Sequence, residues 1–72
     1  MSLRELRKSR RVSQVTLARR LGAEQPTVSK LERQRDMHLS SLVRYVKALG
    51  GRLELLARFP DGDTPLTQFS ED

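Results

Sequence analysis

A single glycine stands between two short runs of helical apolar spacing in residues 14–32, and this leaves the stretch few ways to fold. Val15, Leu17, Ala18 and Leu21 recur at helical intervals before Gly22, and Val28 and Leu31 take up the spacing again within one turn. The residue types at those offsets add to the argument. Ala18 is small where the two segments must touch, Gly22 is free to take positive φ at the corner, and Val28 is β-branched where the second segment packs back.

Two helices joined in this way have the layout of a helix-turn-helix. Around it, Ser2 with Glu5 three residues later fits a capping box, so a first helix is expected over 3–10 with Leu3 and Leu6 on one side. Ser13 caps a second helix over 14–21. Pro26 falls in the first turn of a third over 25–33, where its missing amide hydrogen costs nothing. Ser40 or Ser41 caps a fourth, whose stripe Leu42, Tyr45, Val46 and Leu49 is core. By the same spacing Gln25, Pro26, Thr27 and Lys30 lie on the exposed side of the third helix, opposite Val28 and Leu31.

The charge is divided along the chain. Residues 1–58 hold all 14 Lys and Arg against five acids, net +9, whereas 59–72 hold four acids and no base, net −4. A cationic body favours a polyanionic partner through counterion release, although a basic surface kept for solubility has the same composition. With no cysteine and one histidine, His38, neither a disulfide, a thiolate metal site nor a multi-histidine site is available. No catalytic residue, metal or cofactor is expected: nothing resembles an activated nucleophile or a phosphate-cradling glycine loop. No apolar run approaches a membrane span and no signal-peptide core is present, so the chain reads as cytoplasmic and nucleoid-associated, with no membrane partner.

After Gly50-Gly51, Leu53, Leu55, Ala57 and Phe59 alternate with Arg52, Glu54 and Arg58 up to Pro60-Asp61-Gly62. Alternation over so short a run favours a strand over 52–59, with Leu56 the exception. No second strand-like run is evident, and a lone strand leaves its backbone groups unpaired. The strand is therefore expected to pair in trans with its own copy, through Leu53, Leu55, Ala57 and Phe59, at the centre of a symmetric dimer. The expected organisation is residues 1–51 as the helix-turn-helix domain, 52–59 as the dimerisation strand, and 60–72 as a turn and a disordered acidic tail. In that tail Leu66 and Phe69 are a candidate handle for a partner. The fold class is mostly α, four helices plus one C-terminal strand.

Gln14, Leu17, Ala18, Gly22, Val28, Ser29, Leu31 and Glu32 stand where the Xre, or phage-repressor-like, helix-turn-helix family has its characteristic residues, and the chain resembles that family. The region from the helices through Ala48-Leu49-Gly50-Gly51 to the strand resembles HigA-like and HipB-like antitoxins. The resemblance implies base contacts from Gln25, Pro26, Thr27 and Lys30, and backbone contacts from Gln14, Ser29, Arg33 and Arg35. It also implies that Arg7 on the first helix pairs with Glu32 as a structural strut. Pro26 departs from the polar residue usual at its position, and Glu24 from the usual Ser or Thr cap. The function implied is a repressor that binds a palindromic double-stranded operator as a homodimer, and an antitoxin that neutralises a RelE-like or HigB-like protein toxin. A module acting mainly through protein contact, or a regulator with no toxin, are the alternatives.

Overall fold

Each helix begins where a side chain or a backbone carbonyl meets the first free amides. In the computed structural model, which describes residues 1–66, Ser2 closes a capping box ahead of α1 (Leu3–Ser9): its hydroxyl accepts from the Glu5 amide at 3.1 Å, and the Glu5 carboxylate accepts from the Ser2 amide at 3.4 Å. The helix stops one residue earlier than the spacing predicts. The amides of Arg10, Arg11 and Val12 turn back onto carbonyls of the last turn, and Arg11 enters the left-handed region at φ 59°.

Helices α2 (Gln14–Leu21) and α3 (Gln25–Arg33) have the bounds expected of them. Ser13 accepts from the Thr16 amide at 3.1 Å, and Gly22 at φ 67° lets the Ala23 amide return to the Ala18 carbonyl at 2.9 Å, which closes the corner. Glu24 precedes α3 without a side-chain cap bond. Helix α4 (Leu39–Ala48) starts ahead of the serines expected to cap it: the His38 carbonyl accepts from the amides of Ser41 and Leu42 at 3.0 and 3.2 Å, and the half-buried Leu39 joins the first turn.

The core lies where the corner closes. Leu17, Ala18, Val28, Tyr45 and Leu49 are buried, with Leu3, Leu6, Val12, Leu21 and Ala48 packed round them. At 3% exposure Ala18 has no room for a larger side chain between α2 and α3. Val15, counted by spacing with the apolar stripe, is instead 52% exposed, and Val43 takes a buried place that the α4 stripe did not assign to it.

The expected strand is present as β1 (Leu55–Phe59), shorter than 52–59. Its partner corrects the sequence reading. Residues Gly62–Leu66 form β2 and pair with β1 antiparallel within the same chain, Leu55 opposite Leu66 and Phe59 opposite Gly62, so β1 is not a lone strand and residues 62–66 are not a disordered tail. Gly-Asp-Thr-Pro-Leu carries no alternating apolar pattern, because every residue of β2 is exposed; it is held by the turn Pro60-Asp61 and by Gly62 at φ 143°. Residues 67–72, including Phe69, lie outside the described residues. The hairpin packs on none of the helices to the extent that α2 packs on α3 and α4, and the molecule is elongated, 43 × 24 × 22 Å.

Candidate nucleic-acid interface

The outward face of α3 is polar and cationic where its inward face is core. Gln25, Pro26, Thr27 and Lys30 are all exposed while Val28 is fully buried, so the four residues expected to read bases share the open side of one helix. Ser29 is half-buried, and Arg33 and Arg35 are exposed at the end of α3 and in the loop that follows. A helix that offers its first turn outward in this way has the geometry for entering a major groove.

What holds that face in place is a chain of polar side chains centred on Glu32. Arg7 donates from Nε to Glu32 Oε2 at 2.6 Å and from Nη2 to Oε1 at 3.3 Å, a bidentate pair whose side chains are 7% and 4% exposed. Its third nitrogen, Nη1, donates to the Val12 carbonyl at 2.8 Å, so one guanidinium ties α1, the turn before α2, and α3 together. The Arg7–Glu32 strut is therefore present in the form the resemblance implied.

Two partners of Glu32 were not expected from sequence. Tyr45 donates its hydroxyl to Oε2 at 2.6 Å, with the Leu3 carbonyl 3.1 Å from the same oxygen; the one hydroxyl hydrogen is directed at the nearer, charged acceptor. Gln14 donates from Nε2 to Oε1 at 3.0 Å, and its own Oε1 accepts from Gln25 Nε2 at 3.1 Å. Gln14, expected on the DNA backbone, thus also connects the buried carboxylate to the first residue of the reading helix. Apolar spacing marked Tyr45 as core and gave no sign of its hydroxyl; a tyrosine on a fully buried position was the available signal, since its oxygen needs a partner.

The electrostatics follow from this arrangement. Burial acts to raise the Glu32 carboxyl, but the hydrogen bonds from Arg7, Tyr45 and Gln14, with the Arg7 charge, outweigh it and hold Glu32 below the ordinary glutamate range. The hydrogen bond to Glu32 raises Arg7 further, against the effect of burial. Burial first, then the Glu32 carboxylate, push the Tyr45 hydroxyl well up, so it stays a donor. No buried side-chain nitrogen or oxygen among the described residues lacks a partner. Arg20 donates to the Ala48 carbonyl at 2.9 Å and caps the end of α4. Among the described residues no three His, Cys, Asp or Glu cluster as metal ligands, and no helix is long and apolar enough to cross a membrane.

Residues 1–58 match the model of a family described as a helix-turn-helix domain, and the chain belongs to that helix-turn-helix family. Within it, the likeness is to HigA antitoxins. Antitoxin HigA1 of two strains of Mycobacterium tuberculosis is 48% identical over 56 residues, 76% of this chain but 38% of the relative, so the chain spans under two-fifths of the curated relatives' length. A solved structure titled "DNA bound antitoxin HigA3" superposes with a TM-score of 0.85 at 37% identity, covering 93% of this chain and 90% of that one. Another, "Induced DNA bending by unique dimerization of HigA antitoxin", gives 0.84 at 35% identity over 99% and 95%.

Proposed function

We propose that this chain is a sequence-specific DNA-binding repressor that acts as a homodimer on a palindromic operator, and is the antitoxin of a pair whose toxin is a RelE-like or HigB-like protein. The observation that carries the DNA reading is the open polar face of α3, Gln25 to Lys30, fixed to the core through Gln14 and Glu32. Gln25 suits adenine and Lys30 guanine, Thr27 or Pro26 meets a thymine methyl, and Gln14, Ser29, Arg33 and Arg35 take the backbone. The solved HigA antitoxins, one described as DNA bound and one by its dimerisation, support both parts; the antitoxin name of the relatives supports the toxin. Its place of action is the nucleoid in the cytoplasm.

The hairpin carries the dimer, through the edge of β1 that β2 leaves free. Because a two-residue loop closes the pair Phe59–Gly62, hydrogen-bonded pairs alternate along the ribbon, and the main-chain groups of Leu56 and Arg58 point away from β2. On the far edge of β2 the outward positions belong to Asp63 and Pro65, and Pro65 has no amide hydrogen. Strand addition thus finds a full set of donors on β1 and one fewer on β2, which favours the β1 edge. Two copies joined on β1 would bring Leu53, Leu55, Ala57 and Phe59 into one face and set two α3 helices to half-sites about 34 Å apart.

The test is an electrophoretic titration of the chain against DNA from upstream of its own reading frame and against random DNA, at two salt concentrations. Specific binding about 10³-fold or more above random DNA is expected. Equal affinity for both DNAs would overturn the repressor reading.

A further inference from the structure

We propose that, in the dimer, the tip of each hairpin seats in a cleft at the base of its partner's hairpin, Phe59 on the cleft's apolar floor and Asp61 against its arginine rim. The inference rests on the dimeric reading above and adds a second contact surface to it. The cleft, of about 280 Å³, is lined by Leu6, Val46, Leu49 and Gly51, with Arg10 and Arg52 beside them and, among the described residues, no acidic side chain. Phe59 is 56% exposed at the end of a ribbon that packs little on the helices, and a two-stranded hairpin in water is marginal without something to cover it.

The register brings the two together. In a two-fold antiparallel join of β1 edges, outward-pointing residues must face each other, which leaves the strand centred on Leu55, Leu56 or Ala57. Centring on Leu55 sets Arg58 against the partner's Arg52, and centring on Ala57 sets Glu54 against the partner's Pro60. Centring on Leu56 sets Glu54 against the partner's Arg58 on both sides of the axis, the pairing that charge favours. In that register Phe59 lies opposite the partner's Leu53, and the turn Pro60-Asp61 that follows comes beside the partner's Gly51 and Arg52.

Gly51 and Arg52 are lining residues of the cleft, so the tip arrives at its mouth. Residues directly opposite share a face, so Phe59 comes in on the same side as Leu53, Leu55 and Ala57, the half-buried side of the ribbon. Asp61 brings the charge that Arg10 and Arg52 complement. Arg52 donates to Glu54 at 2.9 Å within its own chain, which holds its guanidinium at the foot of the ribbon.

The full chain contains no cysteine, which allows a direct test. A variant with Asp61→Cys and Arg52→Cys, oxidised at a concentration where the protein sediments as a dimer, should give a covalent dimer. The same bond cannot close within one chain, because the length of β1 separates the two positions and a disulfide needs Cα atoms within about 7 Å. A control pairing Asp61→Cys with Gln34→Cys should stay unlinked. Independently, Phe59→Ala should weaken dimerisation about 100-fold, roughly tenfold for each of two buried rings. Asp61→Lys should weaken it, and adding Arg10→Glu should restore it. If the wild-type chain sediments as a dimer but the Asp61→Cys/Arg52→Cys variant does not cross-link above the control, or Phe59→Ala leaves dimerisation unchanged, the seated tip is overturned and the dimer stands; a wild-type chain that sediments as a monomer overturns the dimeric reading itself.

Discussion

Replacing Glu32 by glutamine preserves the shape of the side chain and removes what the fold uses it for. Four donor groups converge on its two oxygens: Arg7 Nε at 2.6 Å, Arg7 Nη2 at 3.3 Å, the Tyr45 hydroxyl at 2.6 Å and Gln14 Nε2 at 3.0 Å. A carboxylate offers lone pairs to all four. An amide has one oxygen, so its nitrogen must point at donors, and the guanidinium of Arg7, 7% exposed, loses its counter-charge. Breaking a buried ion pair from one side costs about 3–5 kcal/mol. For a domain of this size each kcal/mol lowers Tm by about 4–8 °C, so Glu32→Gln should melt at least about 12 °C below the parent chain. The total stability of so small a fold is near the low end of about 5–15 kcal/mol, so the variant should keep only about 0–2 kcal/mol of it. The acid limb is a second readout. The folded carboxyl lies below its unfolded value of about 4.3, so its contribution is complete above that value and is lost as pH falls towards the folded one. The parent should therefore lose Tm on acidification below about pH 5, and Glu32→Gln should lose much less over the same range. Circular dichroism melts from pH 7 to pH 3 measure both. A variant that melts within about 2 °C of the parent and keeps its acid slope would refute the strut as the centre of this fold.

Other substitutions probe the remaining parts. Lys30→Ala or Gln25→Ala should cost about 1–3 kcal/mol of binding to the specific site and little on random DNA, measured by titration; equal losses on both would count against base reading. Arg11→Gly relieves a left-handed residue at φ 59° and should raise Tm by a few degrees, since the strain of about 1–2 kcal/mol exceeds the entropy that glycine adds to the unfolded chain. Truncation after Gly51 removes a hairpin that packs little on the helices, so the product should stay helical by circular dichroism yet sediment as a monomer with weaker DNA binding; a truncated dimer would refute association through the ribbon.

Much of this architecture was legible from local pattern because local chemistry decides it. Helix bounds at α2 and α3 follow from Ser13, Gly22 and Pro26, whose effects act on their own turn. Where a competing interaction was non-local, spacing misled. The Leu39 side chain, half-buried against the fold, drew α4 to start before its serines, and Val15 kept helical period without facing the core. The hairpin was missed for a different reason. An edge strand exposed on every residue needs no apolar alternation, so the turn Pro60-Asp61-Gly62 is the sequence mark of β2, and such a turn ends a strand as readily as it reverses one.

The sequence by itself determined the helix-turn-helix corner, the reading face of α3 and the cationic body, since each depends on residue type at fixed offset. Only the tertiary structure decided that Glu32 gathers Arg7, Tyr45 and Gln14 from three other helices, and that Gln14 passes this hold on to Gln25. It likewise decided that β1 has one edge occupied and one open. Both belong to that level for the same physical reason: a polar side chain or a strand edge takes whichever partner the fold brings within about 3 Å, and distance along the chain does not say which that will be.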